Sequence, residues 1–83
     1  MGHKYVGLDV HQSSTVAVVH DEQGKSVRES ILRTEAEAVR DFLKGLRGTI
    51  HVTFEEGAQA AWLYEIVQPV VAEVRVCNAR RNK

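Results

Sequence analysis

At 83 residues the chain is one domain at most, and a chain of this size buries only roughly 60 to 65 per cent of its unfolded surface on folding. Hydrophobic residues at 43% and charged residues at 27% exclude the disordered and fibrous classes. Eleven basic residues balance eleven acidic ones, which excludes a net field that would draw the whole molecule onto nucleic acid or an anionic membrane.

Charge is uneven only locally: the tail carries Arg75, Arg80, Arg81 and Lys83, and the stretch around Glu55 and Glu56 is acidic. The single cysteine, Cys77, cannot close an internal disulfide and suits a reducing compartment. No apolar run approaches the roughly 20 residues needed to cross a bilayer. The start lacks the apolar core of a secretion signal, so a cytoplasmic protein is expected.

In chain order, Lys4–Val10, Thr15–His20 and Ser26–Leu32 are rich in β-formers and read as three strands. DEQGK, Asp21 to Lys25, supplies a hairpin turn between the second and third. The polar His11–Ser14 stretch is equally short, so an antiparallel meander is expected. Thr34 to Glu37 has the form of a capping box. Val39, Phe42, Leu43 and Leu46 then make one apolar helical stripe that Gly48 is expected to stop.

Thr49–Phe54 reads as a fourth strand, Gln59–Val67 as a second helix ended by Pro69, and Ala72–Cys77 as a fifth strand. The order β-β-β-α-β-α-β gives a mixed α/β sheet, with parallel crossovers following the antiparallel strands. Two short helices cannot cover both faces of five strands, so the open face should be closed by self-association. The chain stops on the charged run NARRNK directly after a strand, which suggests a piece of something longer.

Side chains alternate across a strand. Asp9 therefore lies with Gly7 and Tyr5, opposite Val6, Leu8 and Val10, and Glu55 lies with Thr53 and His51, opposite Ile50, Val52 and Phe54. If the first and fourth strands are parallel neighbours, Asp9 and Glu55 meet at corresponding ends. Carboxylates held close repel unless a proton or cation intervenes. Oxygen-only donors suit Mg²⁺ or Mn²⁺, the ions that clamp attacking and leaving oxygens in phosphoryl transfer. Glu56 is the competing ligand, although it would face the apolar side if the strand continued.

YVGLDVHQSSTVAVV, VTFEEGAQAAWLYEIV and VRVCNARRNK together resemble the amino-terminal domain of insertion-sequence transposases of the IS-one-ten kind, related to the Piv-type DNA invertases. The resemblance runs from about Tyr5 to Lys83. It implies a RuvC-like, RNase H-type fold and a DEDD set of four acids that bind divalent metal for DNA strand cleavage and joining. Asp9 matches the first acid and Glu55 the second.

The later pair of aspartates follows the NARRNK equivalent, beyond this sequence, so the fragment alone is expected to be inactive. EEGA departs from the family's acid, small residue, Thr and Gly, with Gly57 one position early, and this leaves Glu55 against Glu56 open. DNA is the implied substrate and a structured RNA the implied partner of the full-length protein. Arg80, Arg81 and Lys83 are candidate phosphate contacts.

Other residues carry weaker expectations. His11, two residues after Asp9, could approach a metal or phosphate but reads first as a solvated turn histidine. His51 shares Glu55's parity and could support it, whereas His3 and His20 offer nothing specific. Trp62 and Tyr64 read as core or interface aromatics rather than base-stacking residues. Ser13, Ser14 and Thr15 raise a rival, the phosphate-cradling hairpin of actin-like ATPases and sugar kinases. That loop places a Gly two residues after the Asp, and here the position is His11.

Overall fold

A computed structural model describes residues 2–78 of the chain. Arg80, Arg81 and Lys83, the expected phosphate contacts, lie outside the described residues. The elements are β1 (His3–Val10), β2 (Ser14–His20), β3 (Ser26–Arg33), α1 (Ala36–Lys44), β4 (Thr49–Glu55), α2 (Ala60–Val67), a 3₁₀ turn (Gln68–Val70) and β5 (Glu73–Cys77). Their order is the expected one.

The strands form one five-stranded sheet in the order β3-β2-β1-β4-β5. β1 pairs antiparallel with β2, and β2 with β3. β1 with β4, and β4 with β5, run parallel. The β2–β3 hairpin closes as DEQGK requires: Gly24 adopts φ +81°, and Asp21 Oδ1 accepts from the amides of Gln23 and Lys25 at 2.9 and 3.0 Å.

Period-two alternation sends Val6, Leu8, Ala17, Val19, Ile50, Val52 and Phe54 to one face, where they pack with Val39 and Leu43 of α1 and Leu63, Ile66 and Val67 of α2. Each fully buried Leu or Val side chain contributes about 1.5–3 kcal/mol of transfer free energy. Both helices serve this single core, so the opposite face of the sheet carries no helix. There Ile31 is 75% exposed, Val27 48% and Tyr5 44%.

Two local expectations are corrected. Thr34 does not cap α1; the N-cap is Glu35, without a side-chain bond. The Thr34 hydroxyl instead donates to the His11 carbonyl at 2.7 Å and lies 2.9 Å from the Thr15 hydroxyl. That donation commits its proton, so Thr15, which is fully buried, donates in turn. The capping sequence is used as a tie between the β1–β2 turn and the end of β3.

Gly48 does not stop the helix either. α1 ends at Lys44 with Gly45 as its C-cap, and Gly48 has φ +97° where the chain runs against Gly2; a Cβ at Gly48 would stand 2.2 Å from the Gly2 carbonyl oxygen. Thr49 N–H donates to that carbonyl at 2.9 Å, which starts the parallel β1–β4 pairing.

Candidate functional site

β1, β4 and β5 are parallel and end at the same edge of the sheet. From β1 the chain builds outward through β2 and β3 on one side, then returns to build β4 and β5 on the other. In open α/β sheets, ligands bind outside the carboxyl ends of strands where the build direction switches, because connections leaving in opposite directions open a crevice there. In this sheet that point lies between β1 and β4.

Asp9 and Glu55 stand at it. The register pairs Leu8 with Phe54, and each acid is one residue further along its strand. Asp9 also faces Val16 of β2, and Glu55 faces Cys77 of β5. They share the helix-free side with Gly7 and Thr53, and both line an open cleft of about 710 Å³ with Val16, Val18 and Cys77. Gly7 has no side chain to fill the floor, and a Cβ there would meet nothing within 4 Å.

Glu56 follows the end of β4, its amide donating to the Cys77 carbonyl at 2.8 Å. It also borders the cleft and is exposed, so the geometry brings both glutamates to the same rim. Parity gives Glu55 the face that Asp9 occupies.

His11 is placed beside Asp9. Its Nε2 lies 3.2 Å from Asp9 Oδ2, with the side chains 61% and 73% exposed respectively. The turn that presents it is held by His11 N–H donating to the Ser14 carbonyl at 2.8 Å and by the Thr34 hydroxyl on the His11 carbonyl. The arrangement offers two exposed carboxylates and one imidazole at the mouth of a cleft, with the hydroxyls of buried Thr15 and half-buried Thr34 fixing the turn behind them. Among the described residues, no group of three or more His, Cys, Asp and Glu side chains is gathered to hold a metal.

His51 does not join Glu55. It lies opposite Tyr5 in the β1–β4 register, four residues back along β4. Its ring stacks on Tyr5 at 4.8 Å between centroids, and its Nδ1 donates to Glu73 Oε1 at 2.6 Å. His3 completes this second cluster, with Nδ1 at 2.9 Å from His51 Nε2. The hydrogen bond from His51, and then that from Arg75, holds the Glu73 carboxyl below its ordinary pKa.

Sequence reasoning missed the cluster because the signal lies in the β4–β5 register, which pairs His51 with Glu73. Of the two helix aromatics, Trp62 packs against the core. Tyr64 does not; it is 45% exposed. No family model matches the chain, and no curated protein matches it. No helix among the described residues is long and apolar enough to cross a membrane.

Proposed function

We propose that the chain forms the first half of a divalent-metal site for phosphoryl transfer in an RNase H-like transposase or site-specific DNA recombinase of the cytoplasm. The observation that carries this reading is the placement of Asp9 and Glu55 on one face, at the carboxyl ends of adjacent parallel strands, above an open cleft. The resemblance of the three sequence segments to IS-one-ten transposases supports it.

The donor set fits Mg²⁺ or Mn²⁺, hard ions that bind through one or two carboxylates and complete their shell with water and substrate phosphate oxygens. Asp9 and Glu55 would hold the ion, with Glu56 as the alternative to Glu55. When bound, such an ion neutralises charge on the oxygens of the scissile phosphate. His11, through its contact with Asp9, orients that carboxylate, and in its imidazolium form its Nδ1–H can donate to a phosphate oxygen. The glycine floor at Gly7 leaves room for a DNA backbone.

Arg80, Arg81 and Lys83 would contribute phosphate contacts, and a structured RNA would accompany the full-length protein. On this reading the remaining acids come from outside these 83 residues, and the chain alone is inert. The test is a Mg²⁺ titration followed at side-chain carboxyl carbons by NMR. Asp9 and Glu55 should shift along one isotherm that duplex DNA moves to lower Mg²⁺; shifts confined to other carboxylates would count against it.

A second reading, a non-enzymatic module that self-associates, is favoured by a different observation. Ile31, Val27 and Tyr5 leave apolar surface exposed on the helix-free face.

A further inference from the structure

At the opposite end of β1 and β4 from Asp9 and Glu55, His3, His51 and Glu73 join two imidazoles and a carboxylate in one hydrogen-bonded chain. Glu73 is bonded on both oxygens, to His51 Nδ1 at 2.6 Å and to Arg75 at 3.3 Å. An ionised carboxylate only accepts, so His51 Nδ1 carries a proton, and the Nε2 of a neutral His51 is left as a lone pair. That lone pair points at His3 Nδ1, 2.9 Å away.

Both rings are further fixed. Tyr5 stacks on His51 at 4.8 Å, and the two imidazoles meet edge to edge along their hydrogen bond, with centroids 5.1 Å and planes 30° apart. The His3 backbone N–H is held by Glu22 Oε2 at 2.9 Å. A carboxylate bonded to the far nitrogen of an imidazole is the usual outer partner of a metal-ligating histidine, because it fixes the tautomer and raises the basicity of the nitrogen facing the metal.

We infer that His3 Nδ1 and His51 Nε2 form a binding site for a borderline divalent transition ion of the Zn²⁺ class, with Glu73 as the positioning residue that aims His51. Imidazole nitrogen suits such ions and not Mg²⁺. Zn–N bonds of about 2.0–2.1 Å at a tetrahedral angle set two ligand nitrogens about 3.3 Å apart. The nitrogens therefore need to separate by about 0.4 Å, and each ring to turn by about 35° so that both lone pairs meet at an ion beside the N–N line. The Nδ1 proton of a neutral His3 passes through solvent to its own Nε2, so His3 binds as the Nε2–H tautomer with no net proton released. No third His, Cys, Asp or Glu side chain is gathered there among the described residues, so water fills the other positions. The site is independent of the Asp9–Glu55 reading, and either can fail alone.

The experiment is a ZnCl₂ titration of chelator-stripped full chain, read by long-range ¹H–¹⁵N NMR of the imidazoles. His3 Nδ1 and His51 Nε2 should move together and saturate at one ion per chain, while MgCl₂ leaves them in place. His51→Gln should remove this binding. Glu73→Gln should weaken it roughly tenfold, and His11→Gln and Asp9→Asn should leave it unchanged. All four side chains are outside the core, and thermal melts of each variant show whether it is folded. Absence of paired saturation, equal response to MgCl₂, or loss of binding in His11→Gln rather than His51→Gln would overturn the site.

Discussion

Asp9 and Glu55 each stand one residue beyond the paired Leu8 and Phe54, so the parallel β1–β4 register brings two acids from distant parts of the chain to one end of the sheet. The register itself is set at the other end, where the Gly2 carbonyl accepts from Thr49. A one-residue slip would turn one acid into the core face.

That anchoring makes Gly48 a stability hot spot. Gly48→Ala meets both a φ of +97° and the Gly2 carbonyl at 2.2 Å from the new Cβ, so it should cost more than about 1 kcal/mol in urea denaturation. Gly7→Ala, with open space above it, should change stability by no more than about 0.5 kcal/mol.

The hydroxyl pair behind the candidate site should show an asymmetry. Thr34→Val strands the buried Thr15 hydroxyl and releases the His11 carbonyl, and should cost about 1–3 kcal/mol. Thr15→Val removes the buried hydroxyl itself and leaves the Thr34–His11 bond in place, so its loss in chemical denaturation should be smaller. Only Thr34→Val should also loosen the His11–Asp9 contact, visible as altered His11 ring shifts.

Much of the fold could be read from alternation and turn chemistry. The strand parities of Asp9 and Glu55, the DEQGK hairpin and the apolar stripe of α1 all follow from local pattern, and the parallel β1–β4 pairing follows from the helix between them. What failed needed tertiary information. Thr34 has the spacing of a cap, but the His11 carbonyl and Thr15, both distant in sequence, compete for its hydroxyl and win. Gly48 looked like a helix stop because its real constraint, the Gly2 backbone, lies 46 residues earlier. His3 and His51 acquire meaning only from two strand registers at once.

Acid should weaken the fold through carboxylates stabilised in their charged form. Asp21 is held below its ordinary pKa by the Lys25 amide first and by Gln23, and Glu73 by His51 and then Arg75. A pKa lower in the folded chain adds stability above the unfolded value, and this is lost as pH falls through the folded one. Thermal midpoints should therefore fall with pH below about 4.5, the ordinary Glu73 value. Asp21→Asn keeps an acceptor for both amides without titrating, so its decline should be shallower.

Association through the helix-free face should be separable from the acids. If that face pairs two copies, sedimentation of the wild-type chain shows a dimer that Ile31→Lys converts to monomer. Asp9→Ala should leave the dimer intact. A wild-type monomer at all concentrations would remove the self-association reading.

The decisive property of the candidate site is whether Asp9 and Glu55 share one cation. Substoichiometric Mn²⁺, followed by paramagnetic line broadening across the whole NMR spectrum, asks this directly. The predicted result is broadening centred on Asp9, His11 and the Glu55–Glu56 rim that disappears in Asp9→Asn. Broadening spread over other acids such as Glu37 and Asp41, or a pattern unchanged in Asp9→Asn, would contradict it.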